Sequence, residues 1–278
     1  ITWTAGGALT SSGTWSSVAY GQGKWVAIRS GSTDCAYSIN GGISWLSGGA
    51  LPANTTWTSI TYGAGKFVAV ASGGTQAASS VDGGLTWVSR TLPATSNWIS
   101  VAHGNNRFVA VSNTSGTTAA YSLDGITWVS STVPSAQYTS VRYGQGIFLA
   151  VSQSTQAASS EDGVLWTSRT SSTAANGFSS VTFGNPNQSG SFVAVQRSTA
   201  STVASQFLVG ATAKARAYVS QEKIYAIRMT EPGSGYTSAP TITITDPNNT
   251  YEAPTQVRIG NGALANPSFV NRGTGYIA

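Results

Sequence analysis

The chain has 278 residues, with 32 Gly, 9 Trp, 11 Tyr and 8 Phe, and only 8% of its residues are charged. Disordered chains carry more charge and fewer aromatics, so this composition excludes disorder and points to a turn-rich β protein with ample apolar mass to bury. The net charge is +5, with basic residues scattered singly instead of forming a nucleic-acid-binding stripe, and no apolar run approaches the roughly 20 residues of a membrane-spanning helix.

The first segment, Ile1-Thr2-Trp3, is a lone strand-like copy of Ile126-Thr127-Trp128. A repeat then begins. Trp15-Ser16-Ser17-Val18-Ala19-Tyr20-Gly21 returns at Trp57–Gly63, Trp98–Gly104, Tyr138–Gly144 and Phe178–Gly184, in steps of 42, 41, 40 and 40 residues. A second strand follows each copy: Trp25–Ile28, Phe67–Val70, Phe108–Val111, Phe148–Val151 and Phe192–Val195. Large apolar residues with a small Ala suit a strand packed on both faces. A period near 40 with strand-like units predicts an all-β, five-bladed β-propeller with about four strands per blade.

The third and fourth strands meet at a second turn. Its copies are Ser38-Ile39-Asn40-Gly41-Gly42-Ile43-Ser44-Trp45, Ser80-Val81-Asp82-Gly83-Gly84-Leu85-Thr86-Trp87, Ser122-Leu123-Asp124-Gly125-Ile126-Thr127-Trp128 and Ser160-Glu161-Asp162-Gly163-Val164-Leu165-Trp166. Asn-Gly and Asp-Gly favour tight hairpins, and Ser and Asp oxygens satisfy backbone donors in such turns. Asn40, Asp82, Asp124 and Asp162 are therefore structural turn residues. These turns resemble the Asp-box of sialidase-like propellers. Residues 80–87 match it in full, residues 38–45 carry Asn for Asp and Ser for Thr, and the last two copies are one residue short. In such families the box is a folding element on the face away from the ligand, and the resemblance implies the same here.

The fifth copy lacks this turn after Val203–Leu208, so Ile1–Trp3 is expected to complete the last blade and close the ring. The propeller then occupies residues 1–210. A small β-rich module occupies 211–278, with strands expected over 214–219, 224–229 and 241–245. Its turns Glu231-Pro232-Gly233-Ser234-Gly235-Tyr236 and Asn271-Arg272-Gly273-Thr274-Gly275-Tyr276 match each other. The run from Pro232 to Thr245 resembles the small β-modules of phage tail, fibre and baseplate proteins. The chain starts at Ile1, its only Met is Met229, and it stops within a motif, so a piece of a longer polypeptide is expected.

Catalytic chemistry finds little support. Glycoside hydrolysis usually takes two facing carboxylates. Residues 1–210 contain Asp34, Asp82, Asp124, Glu161 and Asp162, of which four sit in the hairpin turns. A sialidase-like site would also want clustered arginines. His103 stands in the slot held elsewhere by Tyr20, Tyr62, Tyr143 and Phe183, so it replaces an aromatic and does not read as a base. The single cysteine, Cys35, has no neighbouring ligand for a metal, and no cofactor is expected. The chain therefore reads as a non-enzyme, with glycoside hydrolase a distant third possibility.

Two readings of the first-strand aromatics stay open. Trp15, Trp57, Trp98, Tyr138 and Phe178 either offer flat faces to sugars near the axis or pack between blades, where burial alone contributes about 2–3 kcal/mol each. Function divides similarly. The expected role is a virion appendage (tail fibre, baseplate or related), at the virion surface, binding a host-surface glycan or receptor. The alternative is a structural virion protein docking onto other subunits. Homo-oligomerisation through 211–278 is expected, with trimers implied by the phage resemblance; no nucleic-acid partner is expected.

Overall fold

The computed structural model describes residues 5–170, 177–184 and 191–196 in full and, beyond these, the backbone of strands between 204 and 269. The described residues are strands and turns, with no helix among them. Contacts divide the chain into two compact units, Ile1–Pro186 with Gly190–Phe207, and Leu208–Ala278 with Asn187–Ser189.

In the first unit each repeat forms an antiparallel meander. Repeat 1 is β1 (Trp15–Gly21), β2 (Lys24–Arg29), β3 (Cys35–Ser38) and β4 (Leu46–Ser47), hydrogen-bonded in that order. Repeats 2 and 3 share one six-stranded sheet built from β5 (Thr56–Gly63), β6 (Lys66–Ser80), β7 (Val88–Gly104), β8 (Arg107–Ser112), β9 (Thr118–Ser122) and β10 (Val129–Thr132). Four separate strands per repeat were expected; here β6 serves as second and third strand, and β7 as fourth strand and then first strand of the next repeat. The fusion arises because Gly73, at φ 88°, turns the chain so that Ser72 pairs with Asn97 and Gly74 with Ser96. Repeat 4 is β11 (Tyr138–Gly144), β12 (Ile147–Ser152), β13 (Gln156–Ser160) and β14 (Thr167–Thr170). Repeat 5 shows β15 (Phe178–Gly184), β16 (Ser191–Gln196) and β17 (Ala204–Phe207). Ile1–Trp3, the expected fourth strand of repeat 5, lies outside the described residues.

Local chemistry sets the hairpins. First and second strands join through two-residue turns at Gln22-Gly23, Ala64-Gly65, Asn105-Asn106 and Gln145-Gly146, with both residues at positive φ. That geometry matches the strand twist. Across each hairpin an aromatic pair closes at 4.6–5.0 Å between ring centroids, from Tyr20–Trp25 through His103–Phe108 to Phe183–Phe192.

First strands of successive repeats are neighbours: β1 with β5, β5 with β7, β7 with β11 and β11 with β15. Each joint buries one mixed core. Between repeats 1 and 2, Val26 and Ile28 pack with Trp57, Ile60 and Phe67. Between repeats 2 and 3 the equivalents are Val68, Val70, Trp98, Val101 and Phe108, and between 3 and 4 they are Val109, Val111, Tyr138, Val141 and Phe148. A serine stitches each of these three joints. Ser17 Oγ accepts from the Ile60 amide at 3.2 Å, Ser59 Oγ from Val101 at 3.2 Å, and Ser100 Oγ from Val141 at 3.1 Å. These hydroxyls satisfy amides that no strand partner reaches.

In the second unit, β18 (Lys214–Ser220) pairs with β19 (Lys223–Glu231), and β20 (Thr243–Asp246) with β21 (Asn249–Glu252). Four two-residue strands follow: β22 (Thr255–Gln256), β23 (Ile259–Gly260), β24 (Ala263–Leu264) and β25 (Ser268–Phe269). They pair as β22–β25 and β23–β24. Of the expected strand over 241–245, residues 241 and 242 lie outside the described residues, as do the turns at 232–236 and 271–276.

Candidate functional site

Four of the five first-strand aromatics present no open face. Trp57, Trp98, Tyr138 and Phe178 are fully buried, and Trp15 is half-buried. Their polar atoms are spent locally. Trp15 Nε1 donates to the Ser11 carbonyl, Trp57 to Ala53 and Trp98 to Ala94, each at 3.0 Å, and the Tyr138 hydroxyl donates to Pro134 at 2.6 Å. Each bond reaches four residues back and clamps the link from the preceding repeat, whose Leu51, Leu92 or Val133 is also buried. This geometry makes Trp57, Trp98, Tyr138 and Phe178 core residues that anchor the link, with no face left for a sugar; Trp15 alone of the five keeps part of its ring accessible.

The turn carboxylates are likewise engaged. Asp82 Oδ1 accepts from Ser80 Oγ at 2.8 Å and from the amides of Leu85 and Thr86 at 3.0 and 2.9 Å, and Oδ2 accepts from the Thr86 hydroxyl at 2.6 Å. Burial opposes ionisation of Asp82, but these bonds outweigh it and hold the carboxyl at about 2. Asp124 and Asp162 repeat the arrangement, with Oδ1 accepting two amides and a serine hydroxyl at 2.8–3.0 Å. In both, desolvation is the largest single effect, yet the hydrogen bonds lower the pKa. Asn40 accepts from Ser38 Oγ and the Ser44 amide through Oδ1 and donates Nδ2 to Ser44 Oγ.

The first-to-second-strand turns lie on this same face. Lys24 Nζ donates to the Asp82 carbonyl at 3.2 Å, Lys66 Nζ to Asp124 at 2.6 Å and Arg107 Nη1 to Asp162 at 2.5 Å, in each case reaching the next repeat. Scattered charge in the sequence is thus organised: these three cations tie neighbouring hairpins together.

What this face offers to a partner is aliphatic. Ile39, Val81 and Leu123, between the Ser and the Asn or Asp of each turn, are exposed, as are Ile43, Leu85, Ile126 and Leu165 beyond the glycines. Side-chain alternation explains it: Ser and Asp point inward to bond the turn, so the residue between them points out. Leu46, Val88 and Val129 continue the series onto the outermost strands. Scattered exposed aliphatics are ordinary, but here Ile39, Val81 and Leu123, and likewise Ile43, Leu85 and Ile126, recur at equivalent positions of the first three turns; the fourth has Glu161 and the half-buried Val164 at those positions, with Leu165 exposed one residue on. The signal was present in the repeat, in the apolar residue between the Ser and the Asn or Asp of the first three turns; the fourth carries Glu161 there.

At the opposite end of repeat 1, Asp34 is not isolated. Arg29 Nη1 lies 2.6 Å from Asp34 Oδ2, and Ser11 Oγ donates to the same oxygen at 2.7 Å. The Ser11 bond foremost, then the Arg29 bond, lowers the Asp34 pKa. Beside it lies a cleft of about 220 Å³ lined by Thr10, Ser11, Thr33, Asp34 and Ser47. No other carboxylate lines this cleft. Arg142 is the one charged residue on the five first strands, so no arginine cluster assembles there. Among the described residues no group of three or more His, Cys, Asp or Glu stands ready to hold a metal. Cys35 is buried, and desolvation pushes its thiol up to about 12.

No known family model matches the sequence, and no curated protein matches it in sequence. Solved structures do match. The GH74 enzyme of Niastella koreensis aligns with TM-score 0.51 at 18% identity, over 69% of this chain and 29% of that one. YCF48 bound to a D1 peptide aligns with TM-score 0.47 at 14% identity, over 77% of this chain and 73% of that one. The computationally designed Ika4 protein aligns with TM-score 0.43 at 11% identity, over 61% of this chain and 99% of that one. The chain thus spans less than a third of the length of the GH74 enzyme, and the likeness shows a propeller-type fold and nothing of chemistry.

Proposed function

We propose that this chain is a non-enzymatic docking module of a virion appendage, in which five blades close into a ring and the aliphatic hairpin face seats on another virion subunit. The observation that carries the docking reading is the recurrence of Ile39, Val81 and Leu123, with Ile43, Leu85 and Ile126, on one face of the first three repeats. Apolar groups at matching positions of successive blades suit a broad protein surface better than a small ligand. The turn carboxylates behind them are committed to their own hairpins, which supports a binding role over hydrolysis. The virion context rests on the phage-like run Pro232–Thr245. In that context the C-terminal unit joins subunits, as trimers by the same resemblance.

Binding of a host-surface glycan or receptor is the second reading. The hydroxyl-lined cleft beside Asp34 favours it, since Thr10, Ser11, Thr33 and Ser47 offer hydrogen-bonding groups suited to a sugar. Here the cleft takes the place of the buried aromatic ring as the candidate sugar site.

The test is a triple variant, Ile39→Ser, Val81→Ser and Leu123→Ser, in the full chain. These side chains are exposed, so each change shifts stability by no more than about 0.5 kcal/mol. Incorporation into particles, or co-sedimentation with the other appendage subunits, is expected to be lost. Wild-type incorporation of the triple variant overturns the docking reading, and a glycan-array signal that disappears with Asp34→Asn would establish the second.

A further inference from the structure

Each joint between repeats has two complementary halves. The preceding repeat supplies a serine, a glycine and two aliphatics; the following repeat supplies an aliphatic, an aromatic and a second aromatic across the hairpin. Gly21 receives Tyr62, Gly63 receives His103, Gly104 receives Tyr143 and Gly144 receives Phe183. A β-carbon at any of these four glycines would lie 1.9–2.2 Å from the Cγ atom of the arriving ring.

One half of each kind is left over. On repeat 1, Val18 is 51% exposed and Tyr20 56%, whereas Ile60, Val101, Val141 and Val181 at the Val18 position are buried and Tyr62, His103, Tyr143 and Phe183 at the Tyr20 position are half-buried. Trp25 is also exposed, although Phe67, Phe108, Phe148 and Phe192 at the same position are buried. On repeat 5, Val193 and Val195 are 38% and 49% exposed, whereas Val68, Val70, Val109, Val111, Leu149 and Val151 are buried. Ser180 is exposed where Ser59, Ser100 and Ser140 are buried, and no described atom comes within 4 Å of a β-carbon placed at Gly184.

We infer that these two halves mate with each other within one chain: Tyr20 seats on Gly184, the Val18 amide donates to Ser180 Oγ, and Val18 and Trp25 cover Val193 and Val195. The inference deepens the five-bladed ring proposed above by naming the residues of its closing joint. Chain spacing selects the occupant. Trp3 precedes Trp15 by 12 residues, as Trp45 precedes Trp57 and Trp166 precedes Phe178. Residues 1–3 therefore stand in the sequence as the fourth strand of whichever repeat covers the open face of repeat 1. Repeat 5 shows three strands among the described residues, and no Ser-x-Asp-Gly turn follows its third. An intrachain joint also gains the high effective concentration of a tethered partner, and it hides apolar surface and strand edges at both ends.

The experiment is a cysteine pair in the full-length chain, Val18→Cys with Ser180→Cys, oxidised at low protein concentration. Ser59→Cys with Val101→Cys, in a joint already formed, serves as the positive control. The expected result is an intrachain 18–180 disulfide in a species that stays monomeric by denaturing, non-reducing electrophoresis, with a raised Tm. A ladder of interchain species would show that the halves mate between copies, which overturns the inference. Failure of the 18–180 pair to cross-link while the control does overturns it too. A second variant reads the joint without oxidation. Gly184→Ala is expected to lower Tm by as much as Gly104→Ala, and an unchanged Tm would place Gly184 in solvent. None of these readouts depends on a docking partner, so closure and docking fail separately.

Discussion

The ring of Tyr62 lies directly over Gly21 of the preceding repeat, so close that a β-carbon on Gly21 would sit 2.1 Å from Tyr62 Cγ. The glycine that ends each first strand is therefore a seat for its neighbour. At Gly21, Gly63, Gly104 and Gly144 the constraint is steric and not conformational, since none of them adopts the left-handed region.

Filling such a seat is expected to separate the repeats. Gly63→Ala places a methyl inside the imidazole of His103, and overpacking of this kind costs about 1–3 kcal/mol. Urea denaturation measures it. The double variant Gly63→Ala with His103→Ala is expected to lose less than the sum of its single changes, because the two residues share one contact.

His103 also confers a pH dependence. Burial holds its pKa below the ordinary 6.5, and its Nε2 is buried without a hydrogen-bond partner. The unfolded chain takes up this proton more readily than the folded one. Stability from this group is therefore complete above about pH 6.5 and declines as the pH falls toward the lower folded value. Thermal melts of wild type against His103→Phe check this. The variant, carrying the residue type found at Phe183, is expected to lose less stability between about pH 7 and 5.

At lower pH the turn carboxylates take over. The folded pKa of Asp82, about 2, lies below its ordinary 3.8. Its contribution is present above pH 3.8 and is lost as the pH falls through about 2. Asp82→Ala is expected to cost roughly 1 kcal/mol at neutral pH, as for a lost turn hydrogen bond, and to flatten the acid limb of the stability profile. Binding of any partner or glycan at the cleft beside Asp34 is expected to be unchanged in this variant, measured by titration calorimetry.

Cys35 is expected to be unreactive in the native protein. Its side chain is buried and its thiol is pushed up to about 12, so almost no thiolate exists at neutral pH. An aromatic disulfide reagent should label it only on the time scale of unfolding. Rapid labelling of the folded chain would contradict the burial described here.

Local chemistry is legible in the sequence of this protein. The 40-residue period, the hairpin turns and the serine–aspartate pairing depend on residues a few positions apart, and their hydrogen bonds close within each turn. Strands 15–21, 25–28 and their repeats could be read for the same reason, since alternation and turn residues are local properties. Contacts across repeats were not legible. Whether Trp57 faces solvent or core depends on where Val26 and Ile28 of the previous repeat arrive, about 30 residues earlier. Asp34 read as an isolated acid until the fold brought Ser11, 23 residues away, to its carboxylate. The lysines looked like scattered surface charge until Lys66 met the carbonyl of Asp124, 58 residues on. The sequence by itself determined which segments form strands and how their turns close, because those energies are local. Tertiary structure alone decided which faces are sealed and which remain open, because burial is a property of neighbours that only the packed repeats supply.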